Sequence, residues 1–405
     1  MAQQITQMMA SLETTDDGED NIQQPQMYAK NSMDRFGDDM CALILSYITF
    51  EDRFRYECVS KQFQRTVFES VDYILIYNRL IEKILSGKTI NVQMLATIAI
   101  KCANIQTIDC RGIGYTYERH IPEVLTTFRD NCRHLRDICT KLVNDSSKSL
   151  QTFGSLVTEI GSFSPIHELI DCQRLSKMST MRISDVFDTT SGRLLVKNLR
   201  RIELRTHSSD SKELLSAFVA HNQSLKSFTV DLINLRFDKP LTEMSEQLSR
   251  LPQLRELTLG VYLMSDENSL SESLRTIGLN CKQLQRLALQ LSSWSHQLTG
   301  SLINGLQNNH KLKRLSLTIV LDTDEELLEP LKLCHRLTHL TLDLKQMSDQ
   351  LMVNCDKQWP RLQYLSIKAN AMTGECLSHI SRLPALQMLV IKVKGRDDFS
   401  DYFSD

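Results

Sequence analysis

Apolar side chains recur through the second half of the chain in a six-residue phrase. Positions one, four and six of the phrase are Leu, Ile, Val or Phe. The phrase begins at eight places, which are Leu199, Leu225, Leu254, Leu284, Leu312, Leu337, Leu362 and Leu386. Successive starts are 24 to 30 residues apart. Alternation at the end of the phrase predicts a strand with one buried face, and a period of this size predicts strand-plus-helix units that stack on their neighbours.

The stretches between these strands show the periodicity of helices. Four of them are expected to be helical, at 212–221, 270–279, 325–333 and 348–355. These helices would form a second layer behind the strands. The predicted fold class is therefore α/β, a curved solenoid or horseshoe with parallel strands on the concave face and helices on the convex face.

Weaker copies of the phrase begin at Ile105, Leu135 and Leu175, and they extend the predicted array over residues 101–393. The β-rich segment 71–77 would cap its first edge, within a linker at 69–100, and the long spacing around 150–163 predicts an insertion or an enlarged helix. Five cysteines stand three residues before a first repeat position, at Cys102, Cys132, Cys172, Cys281 and Cys334. These cysteines recur at one position of the repeat, the cysteine slot, and the sequence contains no C-x-x-C pair of the kind found in zinc or redox sites. This pattern indicates buried, reduced thiols that act as small hydrophobic side chains.

A different pattern occupies residues 34–68, where apolar side chains have helical spacing in three short segments. The first segment carries a stripe of Met40, Leu43, Ile44, Tyr47 and Ile48. The inward residues expected of the second and third are Phe54, Cys58, Val59, Phe63, Val67 and Phe68. Three helices of this length cannot bury every apolar side chain, so part of this surface is expected to receive a partner helix.

Composition narrows the class of protein further. The 405 residues carry a formal net charge of −2, which gives no general attraction to nucleic acid or to an anionic membrane. Neither a membrane span nor a signal peptide is found in the sequence, so we expect a soluble intracellular protein. The acidic, Gln-rich residues 1–31 are expected to be disordered, and the acidic-aromatic tail 394–405 either caps the last repeat or stays loose.

The segment 36–63 resembles an F-box, the three-helix module of substrate receptors in SCF-type ubiquitin ligases. The family's I-L-x-x-L is similar to Ile44-Leu45-Ser46-Tyr47-Ile48, and its V-C-K-x-W is similar to Val59-Ser60-Lys61-Gln62-Phe63, while Phe36-Gly37 stands where the family has Leu-Pro. The resemblance implies contact with a Skp-type adaptor through Phe36, Met40, Ile44, Tyr47, Ile48, Val59 and Phe63. The alternative is that these residues form only the core of the module itself.

The repeats resemble the cysteine-containing subclass of leucine-rich repeats, whose C-x-x-L-x-x-L-x-L is present at 281–289 and 334–342. An F-box at 32–68 followed by such repeats implies an SCF substrate adaptor in the cytoplasm or nucleus. One end would dock on the Skp-type adaptor and cullin, and the other would hold a protein substrate for ubiquitination and proteasomal degradation. Two alternatives remain: a repeat scaffold outside any ligase, with a drifted F-box, and a repeat receptor for a small ligand.

Strand alternation also predicts which side chains line the concave face. The candidate substrate-binding residues are Arg201, Arg205, Arg286, Arg314, His339, Tyr364 and Lys368. Among them Arg286, Arg314 and His339 fall side by side with Tyr364 next, a group suited to a carboxylate or phosphate on a partner. Charge reversal at both arginines should then abolish substrate capture without unfolding. The alternative is that exposed Arg and Thr only solvate a sheet face.

Enzyme signatures are weak throughout. His335 and His339 are four residues apart, but they lie at the start of a predicted strand and no Glu follows the first His, unlike a zinc protease. Gly112-Ile113-Gly114 lacks the third glycine of a dinucleotide-binding loop, and the sequence contains neither a P-loop nor a G-x-S-x-G elbow. We therefore expect a binding protein without catalytic activity, cofactor or metal.

Overall fold

The fold is described from a computed structural model. It describes residues 38–87, 89–142, 147–162, 167–207, 212–234, 239–263, 268–293, 297–298, 304–309, 311–320, 322–323, 325–345, 349–369 and 374–393. The predicted disordered N-terminus, Phe36 and the tail 394–405 lie outside these residues. The chain divides into two compact units, and the second begins at Asp72.

The first unit consists of three short helices in its described part. They are α1 (Asp38–Ser46), α2 (Phe50–Tyr56) and α3 (Lys61–Glu69). The Thr49 hydroxyl caps α2 by accepting from the Asp52 N–H, and the Ser60 hydroxyl caps α3 by accepting from the Phe63 N–H at 3.0 Å. These caps satisfy backbone donors at the helix starts, which explains why two helices of this length begin at these residues.

The core of the helical unit comes from α1 and α3. Its buried apolar residues are Cys41, Leu45, Phe63, Val67 and Phe68. The Arg53 guanidinium links the three helices, because it donates to the carbonyl oxygens of Leu45 at 2.9 Å and Val67 at 3.2 Å. The inward positions predicted for the third helix are confirmed.

The predicted burial of the second segment is wrong at two positions. Cys58 and Val59 are exposed, because they lie in the turn after α2, where the chain leaves the helix before Ser60 caps α3. Phe54 is half-buried and its ring lies 4.8 Å from the ring of Phe68. The core therefore rests mainly on α1 and α3, and little of it comes from α2.

The second unit is an α/β structure built on one 13-stranded sheet. Its strands, in spatial order, are β1 (Tyr73–Leu75), β4 (Thr107–Asp109), β5 (Asp137–Leu142), β6 (Val157–Ser162), β7 (Lys177–Thr180), β8 (Arg201–His207), β9 (Ser227–Asn234), β10 (Glu256–Leu263), β11 (Arg286–Ser293), β13 (Arg314–Ile319), β15 (His339–Leu344), β16 (Tyr364–Ala369) and β17 (Met388–Val393). Every neighbouring pair in this sheet is parallel. The predicted parallel sheet of repeat strands is confirmed.

Two further pairs of very short strands lie outside this sheet. They are β2 (Leu85–Ser86) with β3 (Thr89–Ile90), which are antiparallel, and β12 (Gln297–Leu298) with β14 (Asp322–Thr323), which are parallel.

Helices connect the strands and pack on one another as a second layer. The α-helices are α4 (Asn78–Ile84), α5 (Val92–Lys101), α6 (Ile121–Asn131), α7 (Ser147–Phe153), α8 (Lys212–His221), α9 (Lys239–Leu248), α10 (Asn268–Asn280), α11 (Cys355–Gln358) and α12 (Gly374–Ile380). Short 3₁₀ helices occur at Tyr115–His120, Gly154–Leu156, His167–Asp171, Ile183–Val186, Asn304–Asn308, Glu325–Leu333 and Asp349–Leu351. None of the described helices is long and apolar enough to cross a membrane.

The four predicted helices have different outcomes. The helices at 212–221 and 270–279 are confirmed as α8 and α10. The third is a 3₁₀ helix with Pro330 inside it, and proline removes a backbone donor that an α-helix needs. The fourth is not one continuous helix, because a 3₁₀ helix covers only Asp349–Leu351, Asn354 adopts a left-handed φ of 58°, and α11 begins at Cys355.

Strand β1 pairs with β4 at the first edge of the sheet, so the β-rich segment 71–77 lies where it was expected to cap the array. The array also contains one strand more than the phrase predicts. Strand β6 lies where an insertion or enlarged helix was expected, and that expectation is wrong. Val157 and Ile160 are buried and stand at the first and fourth positions of the phrase, but Ser162 occupies the sixth, so the phrase is incomplete.

The cysteine slot has the predicted character. All five slot cysteines are buried thiols outside any disulfide. The Cys132 thiol points at the Ala99 carbonyl oxygen at 3.5 Å, and the Cys281 thiol points at the Leu248 carbonyl oxygen at 3.6 Å. Both acceptors lie on the helix of the preceding repeat. Burial raises the pKa of Cys281 to about 11, so this thiol stays protonated and serves as a weak donor between repeats.

One glycine is required by the sheet itself. The register between β9 and β10 shifts between Leu259 and Val261, at a β-bulge around Gly260. A Cβ at Gly260 would lie 1.8 Å from the Asp231 carbonyl oxygen. Only glycine lets the two backbones approach this closely.

Candidate functional site

A row of mostly polar side chains crosses the outward face of the sheet where its strands begin. Strand register places these residues side by side in the order Arg201, Ser227, Glu256, Arg286, Arg314, His339, Tyr364 and Met388. We call this set the first row. Adjacent strands of a sheet are about 4.8 Å apart, so neighbours in the row are within side-chain reach. The adjacency predicted for Arg286, Arg314, His339 and Tyr364 is confirmed.

All residues of the first row except Met388 line a groove of ≈ 410 Å³. The opposite side of the groove carries small and polar residues two positions further along the strands, namely Glu203, Thr229, Thr258, Ala288, Ser316 and Thr341. Five of the seven predicted face residues line the groove: Arg201, Arg286, Arg314, His339 and Tyr364. The structure therefore brings most of the predicted set together in one surface feature.

The other two predicted face residues lie outside the groove lining. Arg205 is in an ion pair with Asp231 at 3.2 Å, and Lys368 is 3.8 Å from the Asp343 carboxylate. Both lie further along their strands than the first row. Their charges are compensated by aspartates on neighbouring strands, which the sequence pattern alone does not indicate.

Glu256 neutralises much of the positive charge predicted for the groove. Its Oε2 accepts from Arg201 Nη2 at 3.0 Å, and its Oε1 accepts from Arg286 Nη1 at 2.7 Å. Glu256 was not among the predicted site residues, although its place between two arginines in the first row was a usable signal. Arg286 and Arg314 were expected to act as an equivalent pair. They are not equivalent, because Arg286 is hydrogen-bonded to Glu256 and Arg314 is not.

Arg314 is exposed and has no hydrogen bond or ion pair with any described residue. Next to it, the rings of His339 and Tyr364 stack with their centroids 5.7 Å apart. Burial, followed by the charges of Arg314 and Arg286, lowers the pKa of His339 below its usual value. The imidazole is therefore uncharged at neutral pH, and one uncompensated guanidinium lies beside an aromatic pair.

A second polar cluster, absent from the sequence expectations, lies among the first strands of the sheet. Arg111 holds the buried Asp109 through two bonds, Nε to Oδ1 at 2.9 Å and Nη2 to Oδ2 at 2.6 Å, and it also contacts the Glu159 carboxylate. Lys177 approaches Glu159 at 3.3 Å, and the Tyr73 hydroxyl donates to Asp109 at 2.9 Å. Its charges pair internally, so the cluster holds neighbouring strands together.

The pKa values in this cluster follow from its pairing. Burial would raise the pKa of Asp109, but hydrogen bonds from Arg111 and Tyr73 lower it below the ordinary value of an aspartate. Burial, followed by the hydrogen bond to Asp109, raises the pKa of Tyr73 to about 12. Asp109 is therefore a carboxylate and Tyr73 a neutral donor at neutral pH.

Helix α1 presents apolar side chains outward in the helical unit. The exposed fractions are 47% for Met40, 53% for Leu43 and 84% for Tyr47. Positions spaced by three and four residues share a helix face, so these side chains form one patch. The predicted stripe therefore faces mainly outward, and Cys41 and Leu45, which lie outside it, face the core.

The remaining predicted residues of this unit are placed differently from one another. Val59 is 44% exposed, while Ile44 and Ile48 are half-buried. Phe63 is only 3% exposed, so in this conformation it belongs to the core of the unit and offers little surface to a partner. This agrees with the inward position predicted for Phe63 on α3, and its contact with an adaptor stays a prediction.

The arrangement of the first row is suited to binding a protein segment by hydrogen bonds, charge and ring stacking. Among the described residues no cluster of three or more His, Cys, Asp or Glu side chains has the geometry of a metal site. The Cys139 thiol is close to Glu159, but burial and the nearby carboxylates raise its pKa to about 11, which keeps it unreactive.

No family model and no curated protein matches this chain. Solved structures with some similarity include a complex of Rad7 and Elc1 in yeast, with 13% identity, 89% of this chain and 91% of that chain covered, and a TM-score of 0.46. The internalin inlF of Listeria monocytogenes has 14% identity, coverages of 89% and 95%, and a TM-score of 0.39. The leucine-rich repeat-containing protein LegL7 of Legionella pneumophila has 11% identity, coverages of 77% and 97%, and a TM-score of 0.40. Similarities of this size say nothing about function.

Proposed function

We propose that this chain is the substrate-recognition subunit of an SCF-type ubiquitin ligase. Helices α1–α3 would act as an F-box that docks on a Skp-type adaptor and, through it, on cullin. The groove on the sheet would hold the protein to be ubiquitinated and then degraded by the proteasome. The observation that carries the proposal is the outward apolar patch of α1, formed by Met40, Leu43 and Tyr47.

This patch stays exposed although the unit already has an apolar core. Cys41, Leu45 and Val67 already provide the unit with a core, and all three are fully buried. The three exposed side chains are therefore free for a partner, at the spacing by which a helix enters an apolar groove. Burying apolar surface gains about 25 cal/mol per Å², so a docked partner would be favoured over exposure to water.

The repeat unit would contribute position rather than chemistry. A ligase receptor holds its substrate near an enzyme that carries activated ubiquitin, and proximity alone accelerates the transfer. The proposal assigns this chain no catalytic residue, metal or cofactor. It places the chain in the cytoplasm or nucleus, because ubiquitin ligases of this type work there.

Co-expression of the full chain with a Skp-type adaptor and a cullin tests the proposal. We expect the wild-type chain to co-purify with both, and a chain lacking residues 32–68 to lose both. Tyr47→Glu should lose most of the adaptor, because it inserts a charge into the apolar patch. Tyr115→Glu is the matched control, since Tyr115 is 78% exposed and lies in the other unit.

Two results would count against the ligase role. Adaptor binding that survives both the deletion and Tyr47→Glu would show that α1 is not the docking element. A wild-type chain that captures protein partners but never the adaptor would favour the plain repeat scaffold instead.

A further inference from the structure

The first row is not uniformly charged. Towards its start, Arg201 and Arg286 share Glu256, so three side chains carry one net charge between them. Towards its end, Arg314 has no partner among the described residues, and the neighbouring His339 is neutral at neutral pH. A ligand that enters this end meets one available guanidinium and a second that is already engaged.

Apolar surface follows directly after this charge. Tyr364 stacks on His339, and Met388, the next residue in the row, is 56% exposed. Strand pairing places Arg314, His339, Tyr364 and Met388 on four consecutive strands. Three strand spacings amount to about 14 Å, which an extended peptide covers in about four residues.

We propose that this end of the first row, from the groove to Met388 beside it, binds an acidic peptide segment in which a carboxylate pairs with Arg314 and an apolar or aromatic side chain, about four residues away, packs on Tyr364 and Met388. A carboxylate matches the single uncompensated charge, and its two oxygens fit the planar fork of a guanidinium. A phosphate dianion would need a second free cation, and Arg286 is already tied to Glu256. This inference rests on the proposed substrate-holding role of the groove and names the chemistry of what it holds.

The test uses the immobilised full chain and a library of random twelve-residue peptides. Selected peptides should share Asp or Glu with an apolar residue about four positions away. Their affinity, measured by fluorescence anisotropy with a labelled consensus peptide, should fall at least about tenfold in Arg314→Gln, as expected when one charged hydrogen-bonded pair is lost. The same peptide with Asn or Gln in place of its acidic residue should bind the wild-type chain equally weakly.

Arg205→Gln is the matched control. It removes the same charge from the same face of the sheet, but Arg205 is already paired with Asp231. Its affinity for the peptide should stay within about twofold of wild type, since distant exposed charges are largely screened. Arg314→Lys, which keeps the charge but not the planar fork, should be intermediate. Circular dichroism and thermal melting confirm that each variant is folded.

Several outcomes would overturn the inference. These are selected peptides without an acidic residue, equal losses in Arg314→Gln and Arg205→Gln, the absence of any enriched peptide, and a phosphoserine version that binds far more tightly than the carboxylate. The adaptor test is independent of all of them. A chain that binds the adaptor but no acidic peptide loses this inference alone, and one that binds the peptide but no adaptor loses the ligase role alone.

Discussion

Asn309 offers a test of how the repeats are held together. It stands three residues before Leu312, in the slot that holds a cysteine in five other repeats. Its side chain is buried, with the residue 8% exposed, and neither its Oδ1 nor its Nδ2 has a hydrogen-bond partner among the described residues. A buried polar group without a partner costs roughly 1–3 kcal/mol. Asn309→Cys should therefore stabilise the chain by an amount in that range, less any loss of packing.

Asn222 is the matched control, because it occupies the same slot and is fully buried. Its Oδ1 accepts from the Leu199 N–H at 2.9 Å, and its Nδ2 donates to the Phe218 carbonyl oxygen at 2.9 Å. Asn222→Cys removes both bonds and leaves the Leu199 N–H buried without this acceptor. The same substitution should therefore destabilise the chain here by roughly 1–3 kcal/mol.

The measurement is the urea concentration at the midpoint of unfolding of the full chain, monitored by circular dichroism. Midpoints are compared between variants whose unfolding free energy has the same slope against urea concentration. We expect the midpoint to rise for Asn309→Cys and to fall for Asn222→Cys. A midpoint that falls for both variants would refute the reasoning. It would mean that the volume and shape of asparagine matter more in this slot than the state of its polar atoms.

Three further predictions follow from the packing and the charges. Gly260→Ala should lower the melting temperature, by overpacking of roughly 1–3 kcal/mol against Asp231; an unchanged melting temperature would contradict the close approach. In the native chain, Ellman's reagent should react rapidly with one thiol, that of Cys58, and in Cys58→Ser with none. All eleven cysteines of the wild-type chain should react after unfolding. Several rapidly reacting thiols in the native chain would contradict the burial of the other ten. The pKa of Asp109 is lowered in the folded chain, so its carboxylate stabilises the fold above the ordinary aspartate pKa, and this stability is lost as the pH falls below about 4. Asp109→Asn should therefore make the free energy of unfolding fall less steeply in acid. An unchanged dependence on pH would contradict this.

Much of the repeat unit could be predicted because a parallel stack in register turns a sequence column into a spatial row. Seven of the eight phrases place their second and third apolar residues in the core, as Leu257 and Leu259 show, and the residue before them on the face. In the last phrase, at the edge of the sheet, Leu389 and Ile391 are exposed. Strand β6 escaped prediction because polar Ser162 stands at the sixth position of its phrase, after Val157 and Ile160 at the first and fourth. The spacing of the phrase was the only signal available, and an irregular repeat does not provide it.

Pairing within the face could not be predicted from the row alone. The position of Glu256 is visible in the sequence, but its two oxygens reach arginines on strands that are not adjacent to each other. Helix α1 poses a similar problem, because Met40 and Leu45 are both apolar and only tertiary packing decides which of them faces α3. Periodicity identified the helix there, and the choice of face required the neighbouring elements.

The separation of charge along the first row bears on how a partner would be recognised. Arg314 is exposed, so salt screens part of its attraction, and its one ion pair adds about tenfold to the affinity together with selectivity for an acidic residue. Tyr364 and Met388 provide the apolar surface from which most of the affinity would come. Raising the salt concentration should therefore weaken binding of an acidic peptide only modestly, by the equivalent of about one ion pair. A steep loss of affinity with salt would mean that several cations act together, and that Glu256 does not neutralise Arg201 and Arg286 when the groove is filled.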